Sequence, residues 1–145
     1  MFRVSFASER FSIRIEEELK LVRSYLETEQ LRLGSKLHTE IDVDETALRT
    51  EVPVLSIQPL VENAVKHGVA ARADEGFVRL RIFARENSVS VEVTNSGAFI
   101  PDLPTGGTGV GLTNVRRRLI LYFGESGALA VSSTDDITTV RFRCR

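Results

Sequence analysis

Residues 58–68, QPLVENAVKHG, carry the clearest structural signal in this chain. Apolar residues in and just before this stretch recur at helical spacing: Val54, Ile57, Val61, Ala64 and Val65. Asn63, Lys66 and His67 then gather on the face away from the core. The pattern predicts a helix over 54–67, with Pro53 as a favourable start. Pro59 predicts a bend or restart, because proline removes one helical hydrogen bond.

A second informative stretch is glycine-rich. Residues 106–115 read GGTGVGLTNV, a loop that runs into a helix predicted from Leu112 to a stop at Gly124. Glycine lets backbone N–H groups approach phosphates closely, and a helix N-terminus favours anions. The G-x-G-x-G spacing differs from the dinucleotide fingerprint, and the lysine of a Walker loop is absent. A magnesium–triphosphate is the ligand that suits both stretches.

The remaining patterns predict the fold class. A helix over 15–33 ends at Gly34, and a short helical piece covers 45–50. Alternating apolar and polar residues predict strands over 37–43, 78–84, 89–94, 128–133 and 138–144. These elements predict one domain, an α/β two-layer sandwich. Its mixed, mostly antiparallel sheet of about five strands is covered on one face by about three helices.

Composition excludes several classes of protein. The chain has 145 residues, of which 42% are hydrophobic and 27% charged, as in ordinary soluble domains. A net charge of −1 gives no reason to expect a nucleic-acid partner. Cys144 is the single cysteine, so no internal disulfide can form. The sequence contains no apolar run long enough for a transmembrane helix and no signal peptide.

In this order, QPLVENAVKHG and GTGVGLTNVRRRL resemble the N box and second glycine box of the GHKL superfamily. This superfamily includes histidine kinases, gyrase, HSP90 and MutL. The two motifs are most similar to those of LytS-type sensor histidine kinases. The segment from Glu18 to Glu29 also resembles the helix that precedes the ATP site in that family. The resemblance covers about residues 15–143 and implies the Bergerat ATP-binding fold.

The resemblance implies ATP and Mg²⁺ as ligands. Asn63 matches the asparagine that ligates Mg²⁺ between the protein and the phosphates. Lys66 is expected to reach phosphate, and His67 to donate to a phosphate or pack near the ribose; a surface lysine and a helix-end histidine are the alternatives. Glu62 is the candidate catalytic residue, through a metal-bound water or through Lys66, although a solvated glutamate is an equal interpretation.

Further nucleotide-binding residues follow from the same resemblance. Asn95 takes the place of the aspartate that accepts from the adenine amino group, and a strand-end turn is the alternative. Either Thr138 or Thr139 is expected to line the adenine pocket, and we take Thr139. The other expected contacts are Gly97, Gly107, Thr108, Gly109, Val110, Gly111 and Leu112.

Three departures from the superfamily pattern shape the functional prediction. Pro59 replaces the glutamate that activates water in gyrase-like and HSP90-like members, which favours phosphoryl transfer over hydrolysis. Asn95 and Phe99 stand where the adenine box has an aspartate and a glycine. They keep open an alternative function, a non-catalytic module that senses ATP or ADP.

The phospho-acceptor motif of LytS-type kinases is absent. His38 and His67 are the only histidines, and neither lies in a Pro-His-Phe-x-Phe-Asn context. The chain is therefore interpreted as the catalytic ATP-binding domain of a histidine kinase, residues 1–145. Residues 1–34 would be an extension and helix leading from the acceptor segment. The resemblance implies that segment and a response regulator as partners, within a cytoplasmic part of a membrane-anchored homodimer.

Overall fold

The structure is a computed structural model that describes residues 11–98 and 109–144. Its strands are β1 Ser12–Arg14, β2 Leu37–Val43, β3 Glu51–Pro53, β4 Gly76–Arg85, β5 Ser88–Ser96, β6 Ala130–Thr134 and β7 Ile137–Cys144. Its α-helices are α1 Ile15–Leu33, α2 Gln58–Val65 and α3 Gly109–Phe123. Within the described ranges, no helix is long and apolar enough to cross a bilayer.

The main sheet has five strands in the order β2-β4-β5-β7-β6. β2 runs parallel to β4, and the other neighbours are antiparallel. Buried and more exposed side chains alternate along β4, as the sequence predicts for a sheet with one covered face. The predicted two-layer sandwich with a mixed, mostly antiparallel sheet is confirmed.

Helix α1 is part of the same hydrophobic core as the sheet. Its buried apolar residues Ile15, Leu19, Val22 and Leu26 pack in one cluster with α2 and the inner sheet face. The backbone N–H of Ile15 donates to the Thr50 carbonyl oxygen at 2.8 Å, which fixes the start of the helix. A deletion that removes α1 would therefore take away one wall of the core.

The structure corrects the prediction for residues 53–57. Pro53 does not begin a helix but ends β3, which pairs with β1 in a separate two-stranded sheet. Helix α2 begins only at Gln58 and places Pro59 in its first turn, where proline disrupts no helical hydrogen bond. Pro59 therefore marks a helix start, which is the restart that was predicted, and it causes no bend inside a longer helix.

Helix α3 also begins earlier than predicted, at Gly109 instead of Leu112. Its last residue is Phe123, and Gly124 has the positive φ of 75° that favours glycine after a helix. The short helical piece after β2 is a 3₁₀ turn over Glu45–Ala47. The closing hairpin forms as expected from β6 and β7.

Candidate functional site

The N-terminus of α2 is held by a buried carboxylate from α1. Glu18 is 0% exposed, and its Oε2 accepts hydrogen bonds from the N–H of Ile57 at 2.7 Å and of Gln58 at 2.9 Å. These N–H groups belong to the end of a helix and have no partner within it. Burial raises the pKa of Glu18, although the backbone hydrogen bonds and the nearby Arg118 partly oppose this shift.

Beyond α2 the chain continues through one wide π-helical turn, Lys66–Ala70. Gly68 in this turn packs directly on the end of β5, because a Cβ there would lie 2.7 Å from the Cβ of Asn95. The Ser96 hydroxyl donates to the Gly68 carbonyl oxygen at 2.7 Å. The turn thereby fixes the C-terminal end of α2 against the strand that carries Asn95.

Two cavities meet along α2. The larger has a volume of about 580 Å³, and the smaller about 10 Å³. Asn63 of α2 and Leu112 of α3 line both. The other residues of the large cavity are Tyr25, Glu29, Arg32, Pro59, Glu62, Val65, Lys66 and Ala70. Those of the small cavity are Leu60, His67, Val93, Asn95, Ala98, Thr138 and Val140.

The small cavity combines apolar walls with four polar side chains, those of Asn63, His67, Asn95 and Thr138. Asn95 is buried, and its side-chain nitrogen donates to the Ser96 carbonyl oxygen at 2.6 Å. The other polar atom of this carboxamide is an oxygen, which is an acceptor. A volume near 10 Å³ is about that needed for one water, so a base enters only if the walls move apart.

The structure corrects the choice between the two threonines of β7. Thr138 is cross-strand partner of Asn95, lines the small cavity and donates to the Gly97 carbonyl oxygen at 2.7 Å. Thr139 is one residue further along the strand, so its side chain lies on the opposite sheet face. There its hydroxyl lies 3.0 Å from that of Thr94. Thr138, and not the predicted Thr139, therefore lines the small cavity.

The other predicted residues of α2 separate around Asn63. Lys66 lines the large cavity, whereas His67 lines the small one. Glu62 lines the large cavity, where its Oε2 accepts from Gln58 at 2.9 Å. The structure thus groups Asn63, Lys66 and Glu62 at the large cavity and places His67 at the small one.

The glycine-box residues are only partly described. Gly97 has a positive φ of 102° and receives a hydrogen bond from Thr138, so its role in the structure is a turn beside the small cavity. Gly109, Val110 and Gly111 form the first turn of α3 and were expected to belong to a loop. Gly107, Thr108 and Phe99 lie outside the described residues.

Sequence reasoning missed the α1 wall of the large cavity. Tyr25, Glu29 and Arg32 line it, and their i, i+4, i+7 spacing is a polar stripe that the sequence already displays. Arg32 forms a close ion pair with Glu29. Burial, then Glu29 and Glu62, raise the pKa of Tyr25 to about 12. The Tyr25 phenol therefore stays protonated at neutral pH. Glu29 of α1 and Glu62 of α2 both contribute to this raised pKa.

The donor set of the site fits Mg²⁺ bound together with phosphate. In the described part of the chain, no group of three or more His, Cys, Asp or Glu could hold a metal ion by protein ligands alone. Asn63 offers a carboxamide oxygen at the junction of the cavities, and Glu29 and Glu62 line the larger one. Few protein ligands combined with phosphate and water oxygens are the usual surroundings of Mg²⁺.

Comparison with known proteins identifies the family. Residues 53–145 match the family described as histidine kinase-, DNA gyrase B- and HSP90-like ATPases. The chain is similar to the sensor protein LytS of Oceanobacillus iheyensis, with 31% identity over an alignment 143 residues long that covers 90% of this chain and 24% of LytS. Its identity to the sensor histidine kinase YesM of Bacillus subtilis is 29%, over 92% of this chain and 24% of YesM.

Solved structures show the same fold. The catalytic domain of the histidine kinase ThkA superposes with a TM-score of 0.68 at 19% identity, covering 91% of this chain and 92% of that domain. ThkA in complex with the response regulator TrrA gives a TM-score of 0.66, covering 91% of this chain and 40% of that chain. The present chain spans less than a quarter of LytS and of YesM, at 24% of each.

Proposed function

Because the chain belongs to the histidine kinase-, DNA gyrase B- and HSP90-like ATPase family, we propose that it is the catalytic ATP-binding domain of a sensor histidine kinase. It binds ATP with Mg²⁺ and donates the γ-phosphate to a histidine on another segment of the same kinase. A response regulator is the next acceptor. The intact protein is a membrane-anchored homodimer whose ATP-binding part is cytoplasmic.

The two cavities along α2 support a defined nucleotide orientation. The adenine lies in the small cavity, where Asn95 accepts from the adenine amino group and Thr138 lies beside it. The phosphates lie in the large cavity with Asn63 and Lys66, and with Leu112 near the start of α3. Mg²⁺, when bound, would neutralise phosphate charge. Asn63 is the residue that would hold it.

The choice of phosphoryl transfer over hydrolysis rests on the first turn of α2. Pro59 lines the large cavity one turn before Asn63, and a proline cannot activate a water. Glu62, the nearest carboxylate on α2, is hydrogen-bonded to Gln58. Its role is to hold a metal-bound water or orient Lys66. Transfer to a positioned histidine requires no such base, because catalysis then depends on placement and charge.

The single observation that carries the proposal is that Asn63 borders both cavities. Its test is thermal unfolding of the chain with ADP or ATP, with and without Mg²⁺. At about 100 times the dissociation constant a ligand adds about 2.7 kcal/mol of stability. We expect this gain only when Mg²⁺ is present. Asn63→Ala should abolish most of it and leave the unliganded fold intact.

Asn87→Ala provides the matched control, because Asn87 lies in the exposed turn between β4 and β5. It should retain the full nucleotide effect. An equal gain in Asn63→Ala and in the control would remove Asn63 from the site. Transfer itself is tested by adding an acceptor-histidine fragment of a LytS-type kinase and labelled ATP. Binding without transfer to that fragment would favour the alternative, a module that senses ATP or ADP.

A further inference from the structure

The phosphate side of the large cavity is short of positive charge along the segments that the family motifs use. Residues 98–109 contain neither lysine nor arginine. On α2 and the turn that follows, Lys66 is the one cation that lines the cavity in the described part of the chain. Glu62 of α2 lines the same cavity, and its negative charge offsets the positive charge of Lys66. A triphosphate needs more compensation than one lysine and a divalent ion beside a carboxylate.

The opposite wall supplies a second cation. Arg32 of α1 lines the same cavity as Asn63 and Lys66. Its side chain is 58% exposed, whereas that of its partner Glu29 is only 14% exposed. The Glu29 side chain is thus held within the cavity wall, whereas the Arg32 guanidinium lies at the solvent-exposed edge of the cavity.

The way in which Arg32 is bound leaves donors for a ligand. Its Nε and Nη2 both donate to the same oxygen, Oε1 of Glu29, with the Nε contact at 3.1 Å. A guanidinium has five N–H donors in a fixed plane, and this plane matches phosphate geometry. Glu29 therefore orients the group, while the donors turned away from it remain available.

We propose that Arg32 binds the terminal phosphate of the nucleotide from the α1 side of the cavity, opposite Asn63 and Lys66. This rests on the proposed function, since it assigns a residue to the same ATP site. Arg32 thereby makes the site prefer ATP over ADP, because ADP lacks the phosphate that Arg32 would contact. Glu29 is a positioning residue for Arg32. Tyr25, beside both Glu29 and Glu62, closes the wall between them.

The test compares the dissociation constants of Mg-ATP and Mg-ADP by isothermal titration. Arg32→Ala should weaken ATP binding by about tenfold or more, the usual worth of a charged hydrogen bond, and change ADP binding by less than about twofold. Arg32→Lys keeps the charge but not the planar fork, so its loss should be intermediate. Arg23→Ala is the matched control: it removes the same charge from α1, but Arg23 borders a different cavity with Gln30 and Thr39.

Each outcome decides the question. Equal losses for ATP and ADP in Arg32→Ala, or no loss, would overturn the proposal. A loss in Arg23→Ala as large as that in Arg32→Ala would show a long-range charge effect and overturn it too. Should Arg32→Ala unfold, Arg32→Gln keeps most of the stem and gives the same comparison. If the unsubstituted chain binds neither nucleotide, the proposed function itself fails, so the two failures are distinguishable.

Discussion

Replacing Glu18 should show that the stability of helix α2 depends on a carboxylate from α1. Its Oε2 accepts two hydrogen bonds, from the N–H of Ile57 and of Gln58, at the start of α2. Hydrogen bonds to a charged group contribute about 1.5–3 kcal/mol each, and the desolvation of a buried carboxylate offsets part of this. For Glu18→Ala, which leaves two buried donors unsatisfied, we expect a loss of about 2–4 kcal/mol.

Urea unfolding followed by circular dichroism measures this loss. A decrease of that size lowers the unfolding midpoint by about 1–2 M urea for a domain of this length. Glu18→Gln retains a carbonyl oxygen for the two donors, but it replaces the other oxygen by an NH₂ group. That oxygen, Oε1, has no hydrogen-bond partner among the described residues, so the NH₂ group would be buried without one. Its cost should be about 1–2 kcal/mol. Glu27→Gln, an exposed position on the same helix, is the control.

The pH dependence provides a second check. The pKa of Glu18 is raised in the folded state above its ordinary value of 4.5. A carboxyl with a raised folded pKa favours folding most when protonated, so its contribution is present below pH 4.5 and is lost as the pH rises through the folded pKa. The stability of the unsubstituted chain relative to Glu18→Gln should therefore fall on raising the pH.

In the urea experiment, a loss of unfolding free energy in Glu18→Ala no larger than that in Glu27→Gln would refute the argument that Glu18 caps α2.

Three further predictions concern the base, the acceptor and the thiol. Isothermal titration should show tighter binding of ATP than of GTP, because Asn95 accepts from the adenine amino group; equal affinities would make Asn95 only a turn residue. Incubation with labelled Mg-ATP should give no acid-labile label, because His38 lies on β2 with its Nε2 2.8 Å from Glu75, and His67 lines the small cavity. Stoichiometric label on either histidine would contradict this. Cys144 should react with thiol reagents only after unfolding, since burial raises its pKa to about 12; rapid reaction of the native chain would contradict the packing of β7.

The elements with long, regular patterns were predictable from sequence. β4 and β5 place apolar residues at every second position, and in the structure these residues are buried: Val78, Leu80 and Ile82 in β4, and Val89, Val91 and Val93 in β5. Gly34 and Gly124 mark the ends of α1 and α3, and both have the positive φ that favours glycine there. Local spacing also places Asn63 on the polar side of a helix, whereas its predicted magnesium role is implied by the family resemblance.

The missed features depend on contacts between distant segments. β1 and β3 have three residues each, too few for a period, and they exist only because they pair with each other. The side that Thr138 and Thr139 face is set by the register between β7 and β5, which no local pattern reveals. Glu18 did leave a signal: it lies within the apolar stripe of Ile15, Leu19 and Val22. A charged residue in such a stripe requires a buried partner.

The parallel pairing of β2 with β4 has a consequence for the order of folding. The register runs from Leu37 opposite Gly76 to Val43 opposite Ile82, and the chain between them contains all of α2 and its wide turn. The hairpins β4–β5 and β6–β7 close by short turns, whereas this crossover must close a long loop first. We therefore expect the antiparallel hairpins to form before the large cavity does. ATP would then act on the last stage of folding, by retaining chains in which β2 has already joined the sheet.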